Sequence, residues 1–428
     1  MADGAHAVRK RSENWISSNS PELMKTTWLA VTAFLFLTSP VFSQTADYDR
    51  FGGWSLVRGG RTGFFHVEII KGLWWFVTPE GNGFLSKGVD HINWHAERPG
   101  SPPVVPADPA EWAKNTARQL REWNFNTAAS WAEPEFANAG IVYAPVLDLA
   151  GAADPDDLWL NRKVFDMFSP ASQAAVQESA RKRIGELASN PWVLGYFTDN
   201  ELRWGAEWKS KESLLEMYLR LPAESPGRRT VETFLAVRGK NVETMTPADK
   251  DDFLEKVAAE YGRLTRDAIR KYDKVHLILG CRFAGYAPDA ALRGVSKYFD
   301  VISYNDYSAK APLEMLRHIT AVTGKPVMIT EFSFKAMDSG LANAKGGGKP
   351  VATQMDRADS FERYATDLAT LPGFLGYHWF QYFDQPKEGR AIDGENSNYG
   401  VVRIEGTPWE ALTERMKTVN GQLERMRP

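Results

Sequence analysis

Cysteine is all but missing. Cys281 is the single one in 428 residues, so no disulfide can form within the chain. Its setting, "LILGCRF", reads as a small buried residue on a strand. Charge of one sign is missing too: 51 Lys and Arg stand against 54 Asp and Glu, a net charge of −3 without a basic block. That removes the electrostatic footprint that nucleic acid or an anionic membrane surface would require. The apolar run at residues 28–37 is too short to span a bilayer. There is no internal repeat and no low-complexity linker. "KGGGK" at 345–349 is followed by Pro350 rather than Ser or Thr and lacks phosphate-loop spacing, so it reads as a flexible loop and a candidate lid.

The short apolar run does fit an address. Lys25 precedes it, and Val41 and Ser43 occupy the small-residue positions before Gln44, as in a secretory signal that starts at Met24. The expected location is secreted or periplasmic, with no membrane attachment after cleavage. Residues 1–43 are therefore set apart as extension and signal. Residues 44–82 read as a β-hairpin segment and 83–428 as a catalytic domain.

What the chain has in abundance is aromatic rings, with 15 Trp, 14 Tyr and 23 Phe. Flat apolar faces with polar tips suit sugar rings, although most such residues fill cores. Residues 63–85 read as short strands turning at Pro79-Glu80-Gly81. Eight strand-like runs follow, at 84–92, 125–131, 142–149, 193–201, 276–283, 300–306, 326–334 and 374–383. Amphipathic segments such as "PAEWAKNTARQLREW" and "FLEKVAAEYGRLTRDAIRKY" lie between most of them. Strict alternation, eight times over, predicts an α/β fold: a (β/α)8 TIM barrel with an N-terminal hairpin extension.

In such a barrel, chemistry sits at the carboxyl ends of the strands. The fourth run ends in Asp199-Asn200-Glu201 and the seventh runs "VMIT" into Glu331. The sixth carries Asn305, Asp306 and Tyr307, and the eighth His378, Trp379, Gln381 and Tyr382. A carboxylate at such a place is costly as an unpaired core group. Two of them facing one mouth form the acid and nucleophile, or acid and base, that glycoside hydrolysis requires. Arg282, ending the fifth strand, is a candidate partner for one carboxylate. His91 is a candidate for a sugar hydroxyl or a supporting role. Its spacing from His95 also admits a metal reading, which the scarcity of further His and Asp at strand ends disfavours. Asp393 and Glu395 read as loop-structuring residues. Trp204 and Trp208, four apart, read either as sugar-stacking residues or as a helical core pair.

Three stretches carry a family resemblance: "GYFTDNELRWG", "PVMITEFSF" and "GYHWFQYFDQPKEGRAIDGENSNYG". Together they resemble the clan A retaining glycosidases and, more closely, the β-agarases of glycoside hydrolase family fifty, over most of residues 63–405. The resemblance implies Glu201 as general acid/base, Glu331 as nucleophile and Asn200 on the sugar 2-hydroxyl. It further implies Tyr307 donating to the nucleophile and Trp379 as the aromatic platform under the sugar. It implies no cofactor and no metal, and an oligo- or polysaccharide as partner, with agarose or another β-linked galactan foremost. The chain departs from that family in being shorter, without a large N-terminal β-sandwich. Another β-linked glycan, or a non-hydrolytic glycan-binding barrel, are the alternatives.

Overall fold

The computed structural model describes residues 47–94, 105–151, 165–206 and 211–428. The signal segment, His95 and Trp208 lie outside the described residues. The N-terminal strands are β1 (Trp54–Arg58), β2 (His66–Ile70), β3 (Leu73–Val77) and β4 (Asn82–Phe84), joined as one antiparallel sheet in the order β1-β4-β3-β2. The expected hairpin is thus part of a four-stranded sheet. Ile70 pairs with Leu73 across a two-residue turn whose Lys71 and Gly72 have φ of 52° and 82°. Two successive positive φ angles give the turn the twist that flanking strands need.

The parallel strands follow as β5 (Ser86–Val89), β6 (Thr127–Ala128), β7 (Val142–Tyr143), β8 (Gly195–Phe197), β9 (Leu277–Gly280), β10 (Phe283–Ala284), β11 (Ile302–Asn305), β12 (Val327–Phe332) and β13 (Phe374–Trp379). Seven form a sheet in the order β10-β11-β12-β13-β5-β6-β7, and β8 pairs separately with β9. The architecture is mixed α/β around parallel strands. The ladder comes in two pieces rather than one closed ring. Parallel bridges from Tyr143 to Val193 and from Val146 to Phe197 link β7 to β8. On the other side, the Asp300 and Val301 amides donate to the Ile278 carbonyl.

Helices α1 (Pro109–Glu122), α2 (Pro170–Ile184), α3 (Leu214–Leu219), α4 (Pro226–Val237), α5 (Pro247–Tyr272), α6 (Asp289–Val295), α7 (Leu313–Thr323), α8 (Gln354–Ala369) and α9 (Glu410–Asn420) fill the connections. Their starts are written locally. Thr246 and Thr353 cap α5 and α8 reciprocally with Asp249 and Asp356, and Asp108 accepts from the Glu111 amide ahead of α1. Gly324, at φ 66°, ends α7. Alternation is not strict. Between β6 and β7 there is only the 3-10 turn Pro134–Asn138. Between β8 and β9, among the described residues, lie three helices, α3, α4 and α5.

Successive strand residues feed two cores, as the period of two requires. Leu277, Leu279, Met328 and Leu375 pack with Phe65, Phe76 and Phe84 of the N-terminal segment. Ile278, Ile329, Tyr377 and Trp379 pack with Phe361, Tyr364 and Leu368 of α8 and with the other helices. The N-terminal sheet therefore supplies apolar surface to one end of the parallel strands and leaves their carboxyl ends for polar groups.

Candidate active site

Backbone strain marks those carboxyl ends. His91, Trp131, Asp148, Glu201 and Arg282 all have φ between 42° and 58°, and each lies just beyond a parallel strand from β5 to β9. A non-glycine residue held there costs of order 1 kcal/mol or more, and persists where the surroundings force it. On β12 the aiming is done by register instead. Tyr304 pairs with Ile329 but Asn305 pairs with Glu331, so Thr330 is one residue too many on its strand. That bulge turns Glu331 toward the neighbouring strand ends, as bulges beside reactive sites commonly do.

The predicted site residues then meet. Glu331 is 5% exposed. Its Oε2 accepts from the Tyr307 hydroxyl at 2.8 Å, and its Oε1 accepts from Arg282 Nη2 at 2.8 Å. Asn305 Nδ2 donates to Glu201 Oε1 at 3.0 Å and to Asn200 Oδ1 at 3.2 Å. Its own Oδ1 accepts from Thr330 Oγ1 at 2.7 Å. The Glu201 amide donates to the Arg282 carbonyl at 3.1 Å, which ties the β8 and β9 ends together. Tyr307 and Arg282 thus hold Glu331 near the end of β12, and Asn305 holds Glu201 four residues beyond β8.

Asp90 is the residue that sequence reasoning missed. The same Arg282 Nη2 donates to Asp90 Oδ2 at 2.9 Å and to the Thr330 carbonyl at 2.7 Å. One nitrogen with two hydrogens serves three acceptors, two of them carboxylates. All three side chains are almost wholly buried. Burial pushes the Glu331 carboxyl up to about 8, against the pull of Arg282, with Glu201 and Asp90 adding to the rise. Burial likewise lifts Asp90 to about 7 while Arg282 opposes it. The signal for Asp90 was present in "GVDHI": a charged residue closing an apolar strand.

His91 stacks at 4.5 Å on Trp131 and meets Phe380 edge-on at 5.1 Å. Burial and the positive charges of Arg390 and Arg282 hold its imidazole well below the usual range, so it is neutral. Trp131 in turn lies 4.4 Å from the Arg282 guanidinium carbon.

Trp379 corrects an expectation. It is fully buried, donates its indole N–H to the Tyr399 carbonyl, and packs on Phe361 of α8, so it cannot lie under a sugar. The reason is a one-residue shift on β13. Gly376 has φ 145°, and a Cβ there would lie 2.2 Å from the Ser86 carbonyl. Past it, His378 turns inward to Ser86 Oγ at 2.9 Å and Trp379 turns out to α8. Phe380 is the aromatic that faces Tyr307, His91 and Tyr399.

Other expected polar residues turn out to brace the frame. Asp199 accepts from the Ala150 amide and the Tyr261 hydroxyl, and Asp306 from Tyr364 and Ser308. Asp393 pairs with Arg390 and accepts from the Glu395 amide, a loop role. Trp204 is buried between Tyr261 and Phe283. Cys281 is buried immediately after β9.

β-Agarase B of Vibrio sp. (strain JT0107) is 28% identical over 493 residues, covering 90% of this chain and 51% of the relative. The solved structure of an agarase is 27% identical with a TM-score of 0.76, over 89% of this chain and 66% of that one. The chain resembles the β-agarases. A solved exo-β-agarase, 23% identical, shares the fold with a TM-score of 0.77 over 89% of this chain and 68% of its own. No protein-family model matches the chain. The chain spans about half the length of the first of these β-agarases, and the resemblance that the three sequence stretches carried is borne out.

Proposed function

We propose that the chain is a retaining β-glycosidase acting on a β-linked galactan of the agarose type. The observation that carries this is that Glu331, held by Tyr307 and Arg282, lies close to Glu201, held by Asn305, whose Oδ1 accepts from Thr330 beside Glu331. The likeness to the β-agarases supplies the substrate class. In the first step a Glu331 carboxylate oxygen bonds to the anomeric carbon as the glycosidic C–O bond breaks. The Glu201 proton passes to the departing oxygen. In the second step water attacks the anomeric carbon, Glu201 takes its proton, and the sugar–Glu331 bond breaks. Loss of the Glu331 charge in the intermediate favours deprotonation of Glu201 at the moment it has to act as base.

The rest of the site has matching parts. Asn200 is the partner for the sugar 2-hydroxyl, with Asn305 keeping it in line with Glu201. Phe380, His91 and Trp131 provide an aromatic wall for the sugar face. The two pieces of parallel sheet are read as arcs of one (β/α)8 barrel, supported by the bridges of β7 to β8 and by the hydrogen bonds reaching Ile278. Secretion, directed by residues 24–43, suits a polysaccharide substrate; among the described residues no helix is long and apolar enough to cross a membrane.

The test is sugar release from agarose, porphyran, β-glucans, galactans and mannans, with Glu331→Ala as control. Release from agarose that vanishes in the control supports the reading. Release from another glycan alone keeps the chemistry and discards agarose. Binding without release, unchanged in the control, discards hydrolysis.

A further inference from the structure

The "KGGGK" loop at 345–349, expected to be flexible and a candidate lid, is fastened carbonyl by carbonyl along its first three residues. The Lys345 carbonyl accepts from Lys335 Nζ at 3.0 Å and from Ser397 Oγ at 2.6 Å. The Gly346 carbonyl accepts from Lys335 Nζ at 3.3 Å, and the Gly347 carbonyl accepts from the Tyr399 hydroxyl. Lys345 Nζ reaches back to the Asp393 carbonyl at 3.1 Å. Three successive carbonyls thus have side-chain donors. One donor, Lys335, is itself 2% exposed and follows Glu331 by four residues along the chain. A loop held this way has lost the freedom its glycines suggest.

The glycines are needed for closeness instead. A Cβ on Gly347 would lie 2.6 Å from Tyr307 Cγ and 2.8 Å from its Cβ and Cδ2. The strap backbone therefore lies directly on the phenol ring. Gly346 and Gly348, at φ 86° and 75°, provide the left-handed turns on either side. A Cβ on Gly348 would come 3.2 Å from the Tyr307 carbonyl. Tyr399, which holds the strap, also flanks the Tyr307 ring at 5.8 Å, and Phe380 meets it edge-on at 6.2 Å. The ring so enclosed is the one whose hydroxyl donates to Glu331.

We propose that the strap of residues 345–348 is a positioning element of the active site, seating the ring of Tyr307 so that its hydroxyl stays on Glu331. The inference rests on the reading of Glu331 as nucleophile. Small displacements of such a donor matter because its hydrogen bond must be in place before the reaction begins. The strap adds no group that touches the reacting atoms. It acts through Tyr307 alone, and that limits what its loss can do.

The experiment is a double-mutant cycle on the full chain. Gly347→Ala and Tyr399→Phe are each made alone and with Tyr307→Phe, and kcat, KM and the pH dependence of kcat/KM are measured beside thermal unfolding. Tyr399→Phe adds no bulk, so it keeps the test open where Gly347→Ala fails to fold. Each strap variant is expected to lower kcat about tenfold with KM within about twofold, and to move the acid limb to higher pH as Tyr307→Phe does. In the Tyr307→Phe background each is expected to change kcat by less than about twofold, because no hydroxyl remains to be misplaced. Equal losses in both backgrounds, or an unmoved acid limb, overturn the proposal while leaving Glu331 in its role. Full activity in Glu331→Ala overturns the reading beneath it.

Discussion

Lys87 and Asp90 lie on or just beyond one short strand, β5, yet the two ionic clusters they join behave as opposites. Lys87 points to the helix layer, where its Nζ meets Glu424 Oε1 at 2.6 Å and the Asn420 carbonyl at 3.0 Å, with both side chains buried. One positive charge faces one negative charge, and a further acceptor uses another ammonium hydrogen. Asp90, at the carboxyl end, shares a single guanidinium with Glu331, and Glu201 adds to the negative field. Two buried carboxylates to one cation is a poor structural device, since ionising both in a dry place is expensive. A balanced pair fastens α9 and the C-terminal turn to the sheet. The unbalanced cluster keeps its carboxyls at raised proton affinity, which supports the chemistry proposed for it.

The contrast breaks most visibly at Glu331. Replacing it by Ala is expected to cost roughly a thousandfold or more in kcat, measured on agaro-oligosaccharides, while secondary structure by circular dichroism is kept. The largest structural effect belongs to the other cluster. Lys87→Met strands a buried Glu424 and is expected to destabilise the fold by about 3–5 kcal/mol in denaturant unfolding, with the pH profile of the surviving activity unchanged.

Next come shifts of opposite sign. Tyr307→Phe removes a donor that favours ionised Glu331, so the acid limb of kcat/KM should move to higher pH, with kcat falling about tenfold to a hundredfold. Asp90→Asn removes a negative charge and leaves Arg282 to Glu331, so the same limb should move to lower pH. Stability carries the corresponding sign. Glu331 and Asp90 are raised in the folded state to about 8 and about 7. The folded chain therefore holds protons that the unfolded chain gives up above its ordinary carboxyl range. Stability from these groups is fully present below that range, falls as pH rises through it to about 8, and levels off beyond. Glu331→Gln should flatten this slope in thermal unfolding recorded from pH 4 to 9. The smallest effect is reserved for the corrected residue: Trp379→Phe should lower thermal stability and leave KM unchanged, whereas Phe380→Ala should raise KM.

The strand positions were legible because apolar runs and turn residues record them, and each of the eight expected runs contains an observed parallel strand. Glu201, Glu331, Asn200, Asn305, Arg282 and Tyr307 were legible as polar groups closing such runs, and the structure brings them together. What the sequence concealed was parity. The extra residue at Thr330 and the turn at Gly376 each change which face a side chain takes, and a one-residue change moves Trp379 out and Phe380 in. Asp90 was hidden because its meaning depends on Arg282, far away in the chain. The strap was misread for a related cause: glycines that permit close approach look the same in sequence as glycines that permit motion.

The central claim is that Glu331, whose ionised form Tyr307 and Arg282 favour against its burial, is the nucleophile. Its most direct test is to trap the intermediate with a 2-deoxy-2-fluoro β-galactoside bearing a good leaving group, and to map the labelled peptide by mass spectrometry. The account predicts one added sugar on the peptide that contains Glu331, and none in Glu331→Gln. A label on Glu201, or steady hydrolysis of agarose with inverted stereochemistry and no covalent adduct, would contradict it.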